Sequence, residues 1–416
     1  MMSVPESIVL DRHSIPQDIL ECILDNLQDD KSILASCTLV CGSWSEPSRR
    51  RLFRTLRRRS KKEEDAGGSF LQFLRQHPYP HLIRVLELYA FGQYLCTRHI
   101  LPVILSRLSN LAELRLWGLD TRCGCEATDE HKAASSLQLY RLERLEFNHL
   151  AHDTTMSFLQ ALGHFSEITT LVINCDAIIR PSPSGVTIVQ RLAADVWPIT
   201  SERLRVRSIS MRGSIAATTS SLLYSVLAVT PSVRSLRTIR VTFDSARDLR
   251  VCASLLPLCA NLREVHFGQW LTFDQKDYEA WDHIDLGSCD MLEECTIATT
   301  MIPFASEPGD SLDSRLQQNM SIINVLSRLP RSVHHVTIIL YEADPDLGSL
   351  RDCYDWEQIQ RILSTIAGQL RYITFKIVDN HDASNRYTQI RNLVAAQTAV
   401  LQKVLSIQIA ELKDGW

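Results

Sequence analysis

One short phrase, apolar-x-x-apolar-x-apolar, recurs from residue 80 onward and limits the fold more than any other feature of the sequence. It runs Ile83-x-x-Leu86-x-Leu88, then Leu111-x-x-Leu114-x-Leu116 and Leu142-x-x-Leu145-x-Phe147. Ile168, Leu171 and Ile173 continue it, then Val206, Ile209 and Met211, Leu236, Ile239 and Val241, and Leu262, Val265 and Phe267. Leu292, Cys295 and Ile297 follow, with Val333, Val336 and Ile338, Leu370, Ile373 and Phe375, and finally Val404, Ile407 and Ile409. Successive middle residues lie 26 to 41 positions apart. Helical patterns separate the phrases, at 97–108, 154–162, 186–196, 218–229, 246–256, 312–329, 356–367 and 387–399. A short strand of period two followed by a helix, repeated at this interval, predicts a stacked α/β array with a parallel sheet inside and helices outside. A doubly wound α/β sheet is the alternative, but it needs helices on both faces, and eleven units is too many for it.

These phrases resemble the leucine-rich-repeat family in a divergent form. The Asn or Cys that closes that family's phrase is mostly missing, with Cys175 and Asp120 among the few candidates. Longer insertions fall near 120–137, 177–185, 269–290, 299–312 and 342–355. The resemblance implies a curved solenoid of about eleven repeats over residues 80–416, with a concave sheet face open to a partner. Strand alternation assigns Val85, Glu87 and Tyr89, then Glu113, Arg115 and Trp117, then Arg144, Glu146 and Asn148 to that face. Thr170, Asn174, Ser208, Ser210, Arg212, Thr238, Arg240 and Thr242 follow, and later Glu264, His266, Glu294, His335, Tyr372 and Lys376. The candidate target-binding residues among them are Tyr89, Arg115, Trp117, Asn148, Asn174, Arg212, Arg240, His266 and Tyr372. Tyr89 and Trp117 are aromatic anchors in adjacent repeats. Arg212 and Arg240, set among hydroxyls and amides without a carboxylate, suit an acidic or phosphorylated peptide.

Residues 14–57 follow a different rule. Ile15, Ile19, Ile23 and Leu27 recur every four residues with Leu20 and Leu24 beside them, which makes one helix with a wide apolar face. Ser14 with Gln17 fits a capping box. Asp29 or Asp30 is placed to cap a second helix through Leu34, Cys37 and Val40. So small a unit cannot bury all of these groups by itself. The segment resembles the F-box. The family's Leu-Pro-x-Glu-Ile-Leu opening stands here as Ile15-Pro16-Gln17-Asp18-Ile19-Leu20, and its Val-Cys-x-x-Trp as Val40-Cys41-Gly42-Ser43-Trp44. Ile15 and Asp18 depart mildly from the pattern, while Gly42 and Pro47 are expected to weaken or kink a third helix. The resemblance implies a three-helix module that docks onto a Skp-family adaptor and through it a cullin–RING ubiquitin ligase. The contacts would come from Ile15, Pro16, Ile19, Leu20, Ile23, Leu27, Leu34, Val40, Cys41 and Trp44. The implied role is the substrate-recognition subunit of such a ligase, with the repeats holding a protein target. The alternative is a leucine-rich-repeat scaffold whose first helices are only a structural cap.

The remaining features narrow the classes. With 45% apolar and 22% charged residues this is a folded chain, and a net charge of −4 gives no global pull toward nucleic acid or acidic membrane. Twelve cysteines scattered through apolar patterns, with no signal peptide before them, fit reduced thiols in the cytoplasm, the nucleus or both. No apolar run is long enough to span a bilayer. Residues 1–13 read as a flexible tail, and 58–79 as a basic linker with a connecting helix. The basic run from Arg49 to Lys62 is either a solvated helix face or a nuclear-import signal. No aromatic beyond Phe53 is interleaved with it, which argues against base stacking on nucleic acid. No phosphate loop, dinucleotide fingerprint or hydrolase motif is present, so neither an enzyme nor a cofactor is expected. Cys123-Gly124-Cys125 with His131 lacks a fourth metal ligand. His334 and His335 point to opposite faces of a strand, so no metal site is assigned.

Overall fold

The structure is a computed structural model that describes residues 15–59, 66–89, 100–117, 139–148, 155–175, 203–213, 217–243, 246–269, 280–301, 321–342, 354–378, 384–403 and 405–412. Ser14, Asp120, the Cys123–Cys125–His131 group, the expected helix at 186–196 and Val404 lie outside these residues.

Three helices come first: α1 (Gln17–Asn26), α2 (Lys31–Cys37) and α3 (Gly42–Leu52). The N-cap of α1 is Pro16, and Gln17 Nε2 donates forward to Glu21 Oε1 at 2.9 Å. Asp30 caps α2 by accepting from the Ile33 N–H at 2.9 Å. Helix α3 continues through Pro47, which is buried with Ser48. Leu20, Leu24, Leu34 and Cys37 form the small core of this unit, with Leu27, Trp44 and Leu52 packed against it. Arg51 ties α3 to α1 through Glu21 at 2.5 Å and Asp25 at 2.7 Å, and it holds the Glu21 carboxyl below its ordinary pKa.

The rest is a sheet of twelve strands. They are β1 (Thr55–Arg59), β2 (Val85–Tyr89), β3 (Glu113–Trp117), β4 (Tyr140–Asn148), β5 (Phe165–Cys175) and β6 (Arg205–Gly213). Then come β7 (Thr238–Phe243), β8 (Glu264–Gln269), β9 (Glu294–Met301), β10 (His335–Glu342), β11 (Tyr372–Val378) and β12 (Ser406–Leu412). Every neighbouring pair is parallel, and strand order is chain order from end to end. The order never reverses, so the switch point of a doubly wound sheet is missing.

Register explains why the phrase repeats. Leu86, Leu114, Leu145, Leu171, Ile209, Ile239, Val265, Cys295, Val336, Ile373 and Ile407 lie directly opposite one another across successive strands. A second row two residues on runs from Leu88 through Phe147, Phe267 and Phe375 to Ile409 in the same way. Both rows face one core that extends from Phe70 to Leu405. Outside them pack α4 (Ala66–Gln76), α5 (Ile100–Arg107), α6 (Thr155–Leu162), α7 (Ala217–Val229) and the short α8 (Ser232–Ser235). Helix α9 (Ala246–Leu255), α10 (residues 321–327), α11 (Trp356–Ile366) and α12 (Ser384–Thr398) continue the layer. At the strand starts one carbonyl accepts two successive N–H groups of the next strand. Arg54 O serves Arg84 and Val85, Arg84 O serves Ala112 and Glu113, and Arg237 O serves Arg263 and Glu264.

Two expectations need correction. The sheet begins at Thr55, inside what the sequence divides between helical module and basic linker. Leu56 sits opposite Leu86, and Arg58 fills the slot that the phrase gives to an apolar residue. The 269–290 stretch is not wholly an insertion: Trp281, Ile284, Leu286 and Cys289 are buried, with Trp281 edge-on to Phe243 at 5.8 Å. This segment packs on the core at β8, with Trp281 6.5 Å from Phe267.

The two ends of one apolar row give a direct comparison. Ile239 is fully buried in the middle, and Ile407 is half-buried on the last strand. Ile239→Ala should destabilise by about 2–5 kcal/mol and Ile407→Ala by clearly less. Denaturant titrations of both variants measure the difference.

Candidate interaction surfaces

Two surfaces stand out. On α1–α3 the apolar side chains divide into two sets. One set makes the small core. The other faces outward: Ile15 is 42% exposed, Ile19 49%, Ile33 42%, Leu39 85% and Val40 62%. Nine large apolar side chains are this exposed among the described residues, and five of them fall within residues 15–40. The stripe that spaced Ile15, Ile19 and Ile23 four apart is therefore one side of a helix whose other side, Leu20 and Leu24, already has partners.

The ten residues that the F-box resemblance nominates for an adaptor separate accordingly. Ile15, Pro16, Ile19, Val40 and Cys41 are exposed, and Ile23 is half-buried. Leu20 and Leu34 lie inside the module's own core, so neither side chain is available to a partner while the helices are packed. Leu27 and Trp44 lean on that core. Ile33 and Leu39 are exposed without having been nominated. Ile33 lies off the four-residue stripe, whereas the Leu39-Val40 pair at the end of α2 was legible as two adjacent apolar residues on a turn.

The second surface is the face of the sheet opposite the two apolar rows. Along its middle row, Arg57 on β1, Glu87 on β2, Arg115 on β3 and Glu146 on β4 lie opposite one another. Glu87 is only 3% exposed, held by Arg57 at 2.7 Å and Arg115 at 2.9 Å. Arg115 also reaches Glu113 at 2.8 Å, and Arg144 reaches Glu146 at 2.9 Å. Asn148 and Asn174 both donate to Glu146, and Asn174 also to Asn148 at 2.8 Å. A buried carboxylate is tolerated only when charges and donors surround it, and here the alternation of sign across strands provides them.

This pairing changes the reading of several candidate residues. Arg115, Asn148 and Asn174 each donate to other side chains of the sheet. Tyr89 and Trp117 stack on each other at 5.2 Å, with the Arg59 guanidinium 5.3 Å above the Tyr89 ring. They form one platform in place of two separate anchors. Burial followed by the Glu87 carboxylate pushes the Tyr89 phenol upward. Arg240 is not free of carboxylates as the sequence suggested, because Glu264 on the next strand accepts from it at 3.0 Å. Glu264 also pairs with His266 Nε2. The Tyr372 ring lies 4.0 Å from that of His335, whose Nε2 meets Thr337 and Thr374. Arg212 alone among these candidates is exposed with no ion pair among the described residues.

No group of His, Cys, Asp and Glu suited to a metal ion occurs among the described residues. Burial pushes the thiols of Cys252, Cys259 and Cys295 up to about 12 and that of Cys289 to about 11, which leaves them unreactive core groups. No helix among the described residues is long and apolar enough to cross a membrane. No protein-family model matches the chain, and no curated protein matches it.

Two measurements follow from these surfaces. His266 first, then Arg240, lowers the Glu264 carboxyl from its ordinary 4.5 to about 2. The ionised form is favoured in the folded chain, so its contribution is complete above pH 4.5 and is lost as pH falls toward 2. Wild-type stability should therefore drop more steeply over that window than Glu264→Gln stability, by roughly 1–3 kcal/mol in an acid titration followed by circular dichroism. Gly42 opens α3 with open space where a Cβ would stand. Gly42→Ala should raise the stability of the module by about 0.4–1 kcal/mol in the same assay.

Proposed function

We propose that this chain is a substrate-recognition subunit of a cullin–RING ubiquitin ligase. In this reading α1–α3 are an F-box that docks on a Skp-family adaptor, and the sheet is a leucine-rich-repeat solenoid that holds a protein target. The observation that carries the reading is the apolar patch of Ile15, Ile19, Ile33, Leu39 and Val40, exposed on a unit whose own core is four residues. Large exposed apolar side chains concentrated in so small a unit support a place where another protein sits. Ile15, Pro16 and Ile19 of the first motif and Val40 and Cys41 of the second are exposed, and the resemblance of these motifs to the F-box supports a Skp-family adaptor as the partner. The chain would catalyse nothing. It would hold a target near an activated ubiquitin and raise the local concentration of the acceptor. In this reading it acts in the cytoplasm, the nucleus or both.

A second reading, that α1–α3 are only a cap on the first strand, rests on how firmly they are attached there. Phe53 stacks on Tyr79 at 5.4 Å and Arg49 lies 5.4 Å above the same ring, in the segment that leads into β2. A cap, however, has no use for outward-facing isoleucines.

The two readings separate on one variant. Ile19→Asp combined with Val40→Asp changes two exposed positions and leaves the core of Leu20, Leu24, Leu34 and Cys37 intact. The double variant should keep its circular dichroism and unfolding midpoint and lose capture of a purified Skp-family adaptor. Undiminished capture, or no capture by the wild type, would favour the cap.

A further inference from the structure

Charge is unevenly placed along the array. From Arg203 to Gln269 the sequence contains ten arginines, no lysine and three acidic residues, while the rest of the chain has 34 basic and 45 acidic residues. All ten arginines are exposed, and seven have no ion pair among the described residues.

Six of them collect on one rim, where β6, β7 and β8 begin: Arg203, Arg205, Arg207, Arg234, Arg237 and Arg263. Backbone hydrogen bonds hold their positions together. Arg237 N donates to Arg207 O at 2.7 Å, and Arg263 N to Arg237 O at 2.8 Å. Ser232 Oγ on α8 donates to Leu204 O at 2.9 Å and Ser235 Oγ to Val206 O at 3.0 Å, which sets Arg234 beside the start of β6. Asn261 Nδ2 donates to Arg234 O at 2.6 Å. The rim is three strands wide, roughly 10 Å at the usual strand spacing. A carboxylate closes each side, Glu167 on Arg207 at 2.5 Å and Glu293 on Arg263 at 3.0 Å. Between them Arg203, Arg205, Arg234 and Arg237 have no carboxylate among the described residues.

The same protein supplies the contrast. On β1–β4 the sheet's arginines are neutralised by Glu87, Glu113 and Glu146. Where sign alternates, arginines serve the sheet; a run of like charges only repels and projects a positive field outward.

We infer that this rim binds an acidic stretch of another polypeptide, with carboxylates or phosphorylated side chains seated in the guanidinium forks. Arginine without lysine suits bidentate capture of either group. The rim is short and ends in carboxylates, and the remaining chain is net negative, so a long nucleic acid would be repelled beyond it. No aromatic residue is interleaved with the arginines in the segments 203–207, 234–237 and 261–263 to stack a base. The inference does not depend on α1–α3 recruiting a ligase.

The test is fluorescence anisotropy on the purified full chain. The probes are a short glutamate-rich peptide, the same peptide with phosphoserines in place of the glutamates, a glutamine version, and a single-stranded oligonucleotide of similar charge. At least one of the first two should bind, with affinity falling as salt rises, and the glutamine version should not. Arg205→Glu with Arg237→Glu should weaken binding by about tenfold or more. Arg205→Gln with Arg237→Gln, which adds no repulsion, should give a smaller loss in the same direction. Arg247→Glu with Arg250→Glu, the same charge change on α9, should alter it by less than about twofold. Which of the two anionic peptides binds better identifies the source of the negative charge. Failure of both to bind, equal losses in the rim and α9 variants, or tighter binding of the oligonucleotide would overturn the inference.

Discussion

A row of apolar side chains, one per strand and opposite one another across the whole sheet, is the constraint on which the rest of this molecule depends. Leu86 faces Leu114, Leu114 faces Leu145, and the row continues without a break to Ile373 and Ile407. Because side chains alternate along a strand, a slip of one residue in any pair would carry that strand's apolar residues to the opposite face. The second row fixes the same register independently. Once the rows are aligned, the helices can lie only on the side where those residues point, and the charged positions between them must share the other side.

That second consequence explains why charge is organised in this chain more than its modest net value suggests. The positions that alternate with the apolar rows are brought into rows of their own, so a residue type chosen on one strand meets the choice made on the next. Arg57, Glu87, Arg115 and Glu146 alternate in sign and form a closed ladder that supports a nearly buried carboxylate. On β6–β8 the same row holds Ser210, Arg240 and His266, while Arg207, Arg237 and Arg263 line up two residues before the first apolar row, where only the outer two meet a carboxylate among the described residues.

Much of this was readable beforehand, for a physical reason. The phrase is local, and its spacing reports directly on the period-two alternation of a half-buried strand, so all eleven strands from β2 onward were placed by it. The first strand was hidden because Arg57, Arg58 and Arg59 mask it: Phe53 and Leu56 keep the first two apolar positions, but Arg58 takes the third. Pairing across strands was not legible. Arg240 looked free of carboxylates because Glu264, its partner, is 24 residues away in sequence and adjacent only after the sheet forms. For the same reason Tyr89 and Trp117 read as two anchors when they are one stacked pair. On α1–α3 the sequence identified a helix too apolar for its size but could not say which side was already occupied. Leu20 and Leu34 point inward and Ile33 and Leu39 outward because of how three helices pack.

The central claim is that the outward set on α1–α3 exists to be covered by another polypeptide. Hydrogen–deuterium exchange on the full chain, alone and with a purified Skp-family adaptor, tests it most directly. The account predicts slowed exchange in the peptides spanning residues 15–45 and no change in the strands from β2 to β12. Unchanged exchange across α1–α3 at saturating adaptor, or protection confined to the sheet, would contradict it.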